Sequence, residues 1–203
     1  MPDTLTPEQR HNNMSRIRSR NTKPEKKVRR ALFSSGFRYR VNVKTLPGTP
    51  DIVLPKDRTV IFVNGCFWHG HKGCKYYTTP STNVEFWTDK VSRNKERDAL
   101  NSQRLESLSW SIITVWECEL KSKAFDATIA RVISELHQNK SKWEAYQAKR
   151  RSDREFARSE ARRKRQIRAE VERELQEQFH IPVKIRKAAR ENMEESVKII
   201  VLA

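Results

Sequence analysis

Two apolar runs, Asp51-Ile52-Val53-Leu54 and Thr59-Val60-Ile61-Phe62-Val63, flank the turn Pro55-Lys56-Asp57-Arg58. Short β-branched runs bounded by turn-forming residues read as strands, and Pro47-Gly48-Thr49-Pro50 sets where the first begins. Upstream, Thr22-Lys23-Pro24-Glu25 opens a helix with an N-cap hydroxyl, an early proline and a Glu at the capping-box position. Val28, Ala31 and Leu32 form its apolar face, and Gly36 is a natural C′ residue. Phe37-Arg38-Tyr39-Arg40-Val41 alternates at period two and predicts a half-buried strand. Downstream, a polar helix is expected from Val84 to Leu108, with Trp87, Val91, Leu105 and Leu108 on it. Ser111-Ile112-Ile113-Thr114-Val115-Trp116 has the pattern of a buried strand, and Phe125, Ile129, Val132, Ile133 and Leu136 mark an amphipathic helix. Helices alternating with strands predict an α/β fold with a mixed β-sheet flanked by helices on both faces.

The chain has 203 residues, with 42 Lys+Arg against 25 Asp+Glu and a net charge of +17. That balance points to a polyanionic partner, nucleic acid first and an anionic membrane surface second. Charged residues reach 33% and apolar ones only 36%, so part of the chain is expected outside any packed core. No apolar run approaches the roughly 18–20 residues of a membrane span, and Met1–Glu8 lacks a secretory apolar stretch. Three cysteines are too few for a disulfide framework, so a soluble, reduced, cytoplasmic protein is expected.

Composition shifts near Asn139. Residues 1–140 hold 25 Lys/Arg and 14 Asp/Glu, a net +11, whereas 141–203 hold 17 and 11, a net +6. All five glycines lie within the first 73 residues, and no Gly or Pro occurs from Lys142 to about Gln178. Two domains are therefore expected, 1–140 and a mainly helical, basic extension over 141–203. The run Arg162-Arg163-Lys164-Arg165 reads either as a solvated helix face or as a phosphate contact. Val197–Ala203 is apolar enough for a short strand or a docking segment.

Chemistry concentrates between residues 51 and 118. Cys66, His69, His71 and Cys74 share one Gly-interrupted loop after a strand, and Cys118 follows another strand. Zinc takes four nitrogen or sulfur ligands in a tetrahedron, so five candidates leave one histidine spare. A loop this short has no core of its own, which favours a closed, structural site. Asp51 heads its strand, where a carboxylate facing the neighbouring strand suits Mg²⁺-dependent phosphodiester hydrolysis. An isolated Pro-Asp equally well caps a turn. His69 is the candidate to take a proton from the attacking water, because imidazole is a side chain suited to general-base work near neutral pH.

Asn64-Gly65-Cys66-Phe67-Trp68-His69-Gly70-His71 resembles a segment of the very short patch repair endonucleases. So do Asn13-Met14, Glu25, Pro47-Gly48-x-Pro50-Asp51, Glu85-Phe86-Trp87, Asn94, Arg97-Asp98 and Val115-Trp116-Glu117-Cys118-Glu119-Leu120. The likeness covers roughly residues 8–138. It implies a restriction-endonuclease-like fold and a Mg²⁺-dependent enzyme that nicks one strand beside a T·G mismatch left by 5-methylcytosine deamination. Carried over by position, it implies that Asp51 and the main-chain carbonyl of Val63 ligate Mg²⁺. His69 would activate the water, and Glu25 would assist a water held by that ion. Cys66, His71, Cys74 and Cys118 would hold a structural zinc, leaving His69 as the spare histidine. Phe67, Trp68 and Trp87 would wedge into the base stack, where a mispaired step is cheaper to open. Each of these also has a plainer reading: Glu25 as capping carboxylate only, Phe67, Trp68 and Trp87 as core. Trp110 and Trp116 read as core.

The family has His where this chain has Asn64, and an amide donates to phosphate without shuttling a proton. The His71–Cys74 spacing is one residue longer than the family's, an insertion Gly73 can absorb. The implied partner is double-stranded DNA with a T·G mismatch, with mismatch-repair proteins as further candidates and a monomer as the default for a single-strand nick. Competing expectations are a restriction-type nuclease on unmismatched DNA and a zinc-stabilised DNA-binding protein with weakened catalysis.

Overall fold

The computed structural model describes residues 20–179 continuously, together with Thr6, Glu8, Gln9, Asn12, Ser15 and Arg16. Asn13-Met14 and the apolar stretch Val197–Ala203 lie outside the described residues. Thr22 starts the first helix, α1 (Lys23–Ser34), by accepting from the Glu25 N–H, while Glu25 Oε1 accepts from the Thr22 N–H at 3.3 Å. This reciprocal pair satisfies two amides that would otherwise lack partners at the helix start. Gly36, at φ +88°, ends the helix in a backbone region that side-chain-bearing residues avoid.

Strands β1 (Ile52–Leu54) and β2 (Thr59–Asn64) pair antiparallel, with Ile52 opposite Ile61 and Leu54 opposite Thr59. The turn between them ends at Arg58, whose guanidinium donates to the carbonyls of Leu108 and Ser109 and lies 4.2 Å from the Trp110 ring centroid. Helix α2 (Val84–Ser107) then carries the chain to β3 (Ser111–Trp116), which pairs parallel to β2 from Thr59↔Ser111 to Asn64↔Trp116. The sheet is therefore mixed, in the order β1-β2-β3. A short 3₁₀ turn, Glu117–Leu120, leads into α3 (Phe125–Phe179).

Alternation along the strands builds two apolar layers. Ile52, Leu54, Ile61, Ile113 and Val115 pack with Val28 and Leu32 of α1 and with Val132 and Leu136 of α3. Val53 and Val60 pack with Leu105 and Trp110, joined by Phe62 and Ile112. Helices thus cover both faces, as the α/β pattern requires.

Two expectations need correction. Residues 37–41 do not form a strand; only Arg40 pairs, with Val53, through N–H···O bonds of 2.8 Å in each direction. Asn42 at φ +48° ends the extended backbone there, and Phe37 and Tyr39 instead pack against the core. The amphipathic helix beginning at Phe125 and the Gly/Pro-free helix after Lys142 are a single 55-residue helix, with no break at 140. Compact units run Met1–Tyr146 and Gln147–Ala203. In the second, every residue from 148 to 178 is exposed, so helix propensity rather than burial supports it.

Ile61 is fully buried in the central strand, and Phe156 is 67% exposed. Ile61→Ala should lower unfolding stability by about 2–5 kcal/mol in urea titration, whereas Phe156→Ala should stay within about 0.5 kcal/mol.

Candidate active site and metal centre

Asp51 precedes β1, and its Oδ2 accepts the Val63 N–H at 2.8 Å, so the side chain closes the end of the β1–β2 ladder. Arg29 reaches from α1 to the Asp51 carbonyl at 3.0 Å and to Glu25 Oε2 at 2.8 Å. Glu25 is only 3% exposed and also accepts from the Asn21 and Thr22 amides and the Thr22 hydroxyl. It is thus both the capping-box carboxylate and half of a buried ion pair. Burial pushes the Asp51 carboxyl up to about 6, and the neighbouring Glu25 charge adds to the rise. The Val63 N–H, Arg29 and His69 oppose it without cancelling it. A half-buried carboxylate whose charge is under-compensated fits a hard divalent cation such as Mg²⁺, which takes oxygen ligands and keeps several waters.

His69 stands in the tight loop after β2. Its Nδ1 lies 2.5 Å from Asp98 Oδ2, so with Nδ1 protonated the ring donates to Asp98 and Nε2 is left as an acceptor. One turn earlier on α2, the Asn94 amide donates to the Trp68 carbonyl at 2.9 Å. Gly70, at φ +57°, has no room for a β-carbon, which would collide with Lys95 and Val91. One face of α2 therefore holds the 68–70 loop in place. Sequence reasoning gave Asn94 and Asp98 no role, although their i, i+4 spacing on a predicted helix was a usable signal.

Cys66, His71, Cys74 and Cys118 bring their ligand atoms within 4.8 Å of one another. His71 Nδ1 is 3.6 Å from Cys66 Sγ and 3.4 Å from Cys118 Sγ. Tetrahedral zinc bonds of about 2.3 Å to sulfur and about 2.0–2.1 Å to nitrogen imply a sulfur–nitrogen edge of about 3.6 Å. The donor set therefore fits a zinc ion. Burial pushes the Cys118 thiol up to about 12 and raises Cys66, while the Tyr76 amide lowers Cys74. Trp116 stacks on the His71 ring, with centroids 4.0 Å apart at 4°. His69 lies outside this cluster, paired with Asp98 instead.

A family model described as "DNA mismatch endonuclease Vsr" matches residues 2–75. The "Type II nicking enzyme V.XorIIP" of Xanthomonas oryzae pv. oryzae is 44% identical over 134 residues, 66% of this chain and 98% of that protein. This chain belongs to the Vsr family. It is a DNA endonuclease. The "Type II nicking enzyme V.NmeAIP" of Neisseria meningitidis is 49% identical over 124 residues, 61% of this chain and 88% of its own. The "DNA mismatch endonuclease Vsr" of Escherichia coli is 41% identical over 123 residues, 61% of this chain and 78% of its own.

In this Vsr-family chain, Phe67, Trp68 and Trp87 form one edge-to-face cluster, with centroids 5.2–6.0 Å apart. All three are half-buried rather than core. Phe86, quoted in the family likeness without a role of its own, joins the cluster through Trp87 at 5.2 Å and is 55% exposed. Asn64 ends β2 opposite Trp116. Trp110 is core, as expected. No helix among the described residues is long and apolar enough to cross a membrane.

Metal-free protein titrated with Co²⁺ should take up about one ion per chain at the thiolate site, with proton release and a sulfur-to-metal absorption band; Cys118→Ser should abolish the band. Asp51 gives a second expectation, in the presence of chelator. Its carboxyl is protonated in both folded and unfolded chains below about pH 4 and ionised in both well above pH 6, so its cost to stability appears as pH rises between them. Asp51→Asn should therefore raise stability at pH 7.5 by about 1–3 kcal/mol, and the gain should vanish near pH 4 in denaturant melts.

Proposed function

We propose that this Vsr-family endonuclease nicks one strand of duplex DNA beside a T·G mismatch arising from 5-methylcytosine deamination, in a Mg²⁺-dependent hydrolysis, and acts as a monomer. On this reading residues 1–140 form a restriction-endonuclease-like nuclease domain and 141–203 an extension. The observation that carries it is the half-buried Asp51 carboxylate, bonded to the Val63 amide and pushed up to about 6, within electrostatic reach of a His69 ring that Asp98 orients.

Asp51, with the Val63 main-chain carbonyl, is the proposed Mg²⁺ ligand set, and the bound ion would supply a Lewis acid for the scissile phosphate. His69 Nε2 takes a proton from the attacking water, and Asp98 both fixes the tautomer and stabilises the imidazolium that forms. Glu25 supplies the second negative charge beside Asp51 while capping α1, and it is the candidate carboxylate for assisting a water there. Asn64 donates to a phosphate oxygen and carries no proton. Phe67, Trp68 and Trp87 insert as a wedge at the mismatch, where apolar insertion costs a few kcal/mol of unstacking. Cys66, His71, Cys74 and Cys118 hold a structural zinc. Mismatch-repair proteins are candidate partners.

Several relatives are named as type II nicking enzymes, which supports a second reading, a nuclease acting on matched sites. A strand-resolved nicking assay separates the two, using a T·G duplex with its T·A and C·G counterparts, each with and without Mg²⁺. We expect one nick, on the T·G duplex alone and only with Mg²⁺, reduced at least about 10³-fold by Asp51→Ala with DNA affinity retained. Cleavage of the matched duplexes would move the protein to the second reading. Binding without any cleavage would leave a DNA-binding protein that has lost its chemistry.

A further inference from the structure

Within α3, the stretch 151–165 carries arginines at positions 151, 154, 158, 162 and 165. At about 100° per residue, these spacings put all five within about 80° of arc, over a rise of about 21 Å. From 151 to 165 no other residue falls in that arc; of the acidic residues, Asp153 and Glu160 lie on the far side and Glu155 borders the arc about 20° beyond Arg162. All five arginines are exposed, and none has a carboxylate within ion-pair distance among the described residues. The only apolar side chains in the same stretch are Phe156, on the far side with Asp153 and Glu160, and two alanines, Ala157 and Ala161. A helix built to lie in a membrane interface would instead carry a broad apolar face beneath its cations.

We propose that Arg151, Arg154, Arg158, Arg162 and Arg165 form a linear clamp for the phosphate backbone of duplex DNA, outside the nicking site. Unpaired guanidiniums in a row, with no charge of opposite sign among them, neutralise phosphates without reading bases. The 21 Å row matches about six base-pair rises of 3.4 Å along one strand. The choice of DNA rests on the chain being a DNA endonuclease and is independent of whether it selects mismatches. The 134 residues aligned with the Xanthomonas relative cover 98% of that protein but only 66% of this chain. A sequence-independent clamp would raise the time spent on any DNA and leave discrimination among sites unchanged.

The test uses the full chain and a matched 30-base-pair duplex, with Kd measured across a range of salt concentrations. Each phosphate contact contributes about −0.9 to the slope of log affinity against log salt. Replacing all five arginines (Arg151→Gln, Arg154→Gln, Arg158→Gln, Arg162→Gln and Arg165→Gln) should make the slope shallower by about 2–4. The same variant should keep the parent's ratio of affinities for T·G and T·A duplexes and its single-turnover nicking rate at saturating enzyme. Gln and Arg have nearly equal helix propensity, and circular dichroism checks that helicity is kept. The matching five Arg→Lys replacements retain charge and should keep the parent's slope. An unchanged slope in the Gln variant overturns the proposal. So does a change seen with an RNA duplex but absent with DNA, which would assign the stripe to RNA.

Discussion

The hydrogen bond from the Val63 amide to Asp51 Oδ2 joins the two ends of one problem, how to keep an anion inside a folded chain. It closes the β1–β2 ladder and fixes the carboxylate where burial makes its charge costly. Everything around it follows from that cost. Arg29 braces the Asp51 carbonyl but spends its charge on Glu25, and Glu25 is held by the α1 cap. The core beneath is made by the same strands, through Ile52 and Ile61, so the site cannot relax without disturbing the apolar layer. An unfavourable charge on a rigid support is the feature on which the proposed Mg²⁺ role of Asp51 rests.

Much of this was legible in sequence because it is local. The Thr22–Glu25 capping box, the turn at 55–58 and the density of Cys and His between 66 and 74 depend on neighbours a few residues away. The misread strand over 37–41 shows the limit of period-two alternation: Phe37 and Tyr39 alternate because they both pack on the core, but Asn42 turns the backbone away before a ladder forms. The single long α3 was hidden by a change in composition that marks where burial ends, and burial is not what continues a helix.

The site was legible in its residue types and illegible in its pairings. Counting ligands could not say which histidine was spare. What separates them is that His69 Nδ1 meets Asp98, 29 residues away on α2, whereas His71 Nδ1 meets two thiols. Separations of that size are set by how α2 packs, through Leu105 on the sheet and Val91 against Gly70, and no local pattern encodes them.

His69 lies between Cys66 and His71, two members of the four-residue cluster, with only four residues separating those members along the chain. Such a short closed segment has little conformational freedom once its ends are pinned, and a great deal when they are released. An ion held by that cluster, as proposed, would add to the order that Asp98 and Asn94 of α2 already give the imidazole and its loop. Oxidation of the cysteines or scarcity of the ion would blur the position of the proposed base while the sheet and its two apolar layers stayed intact.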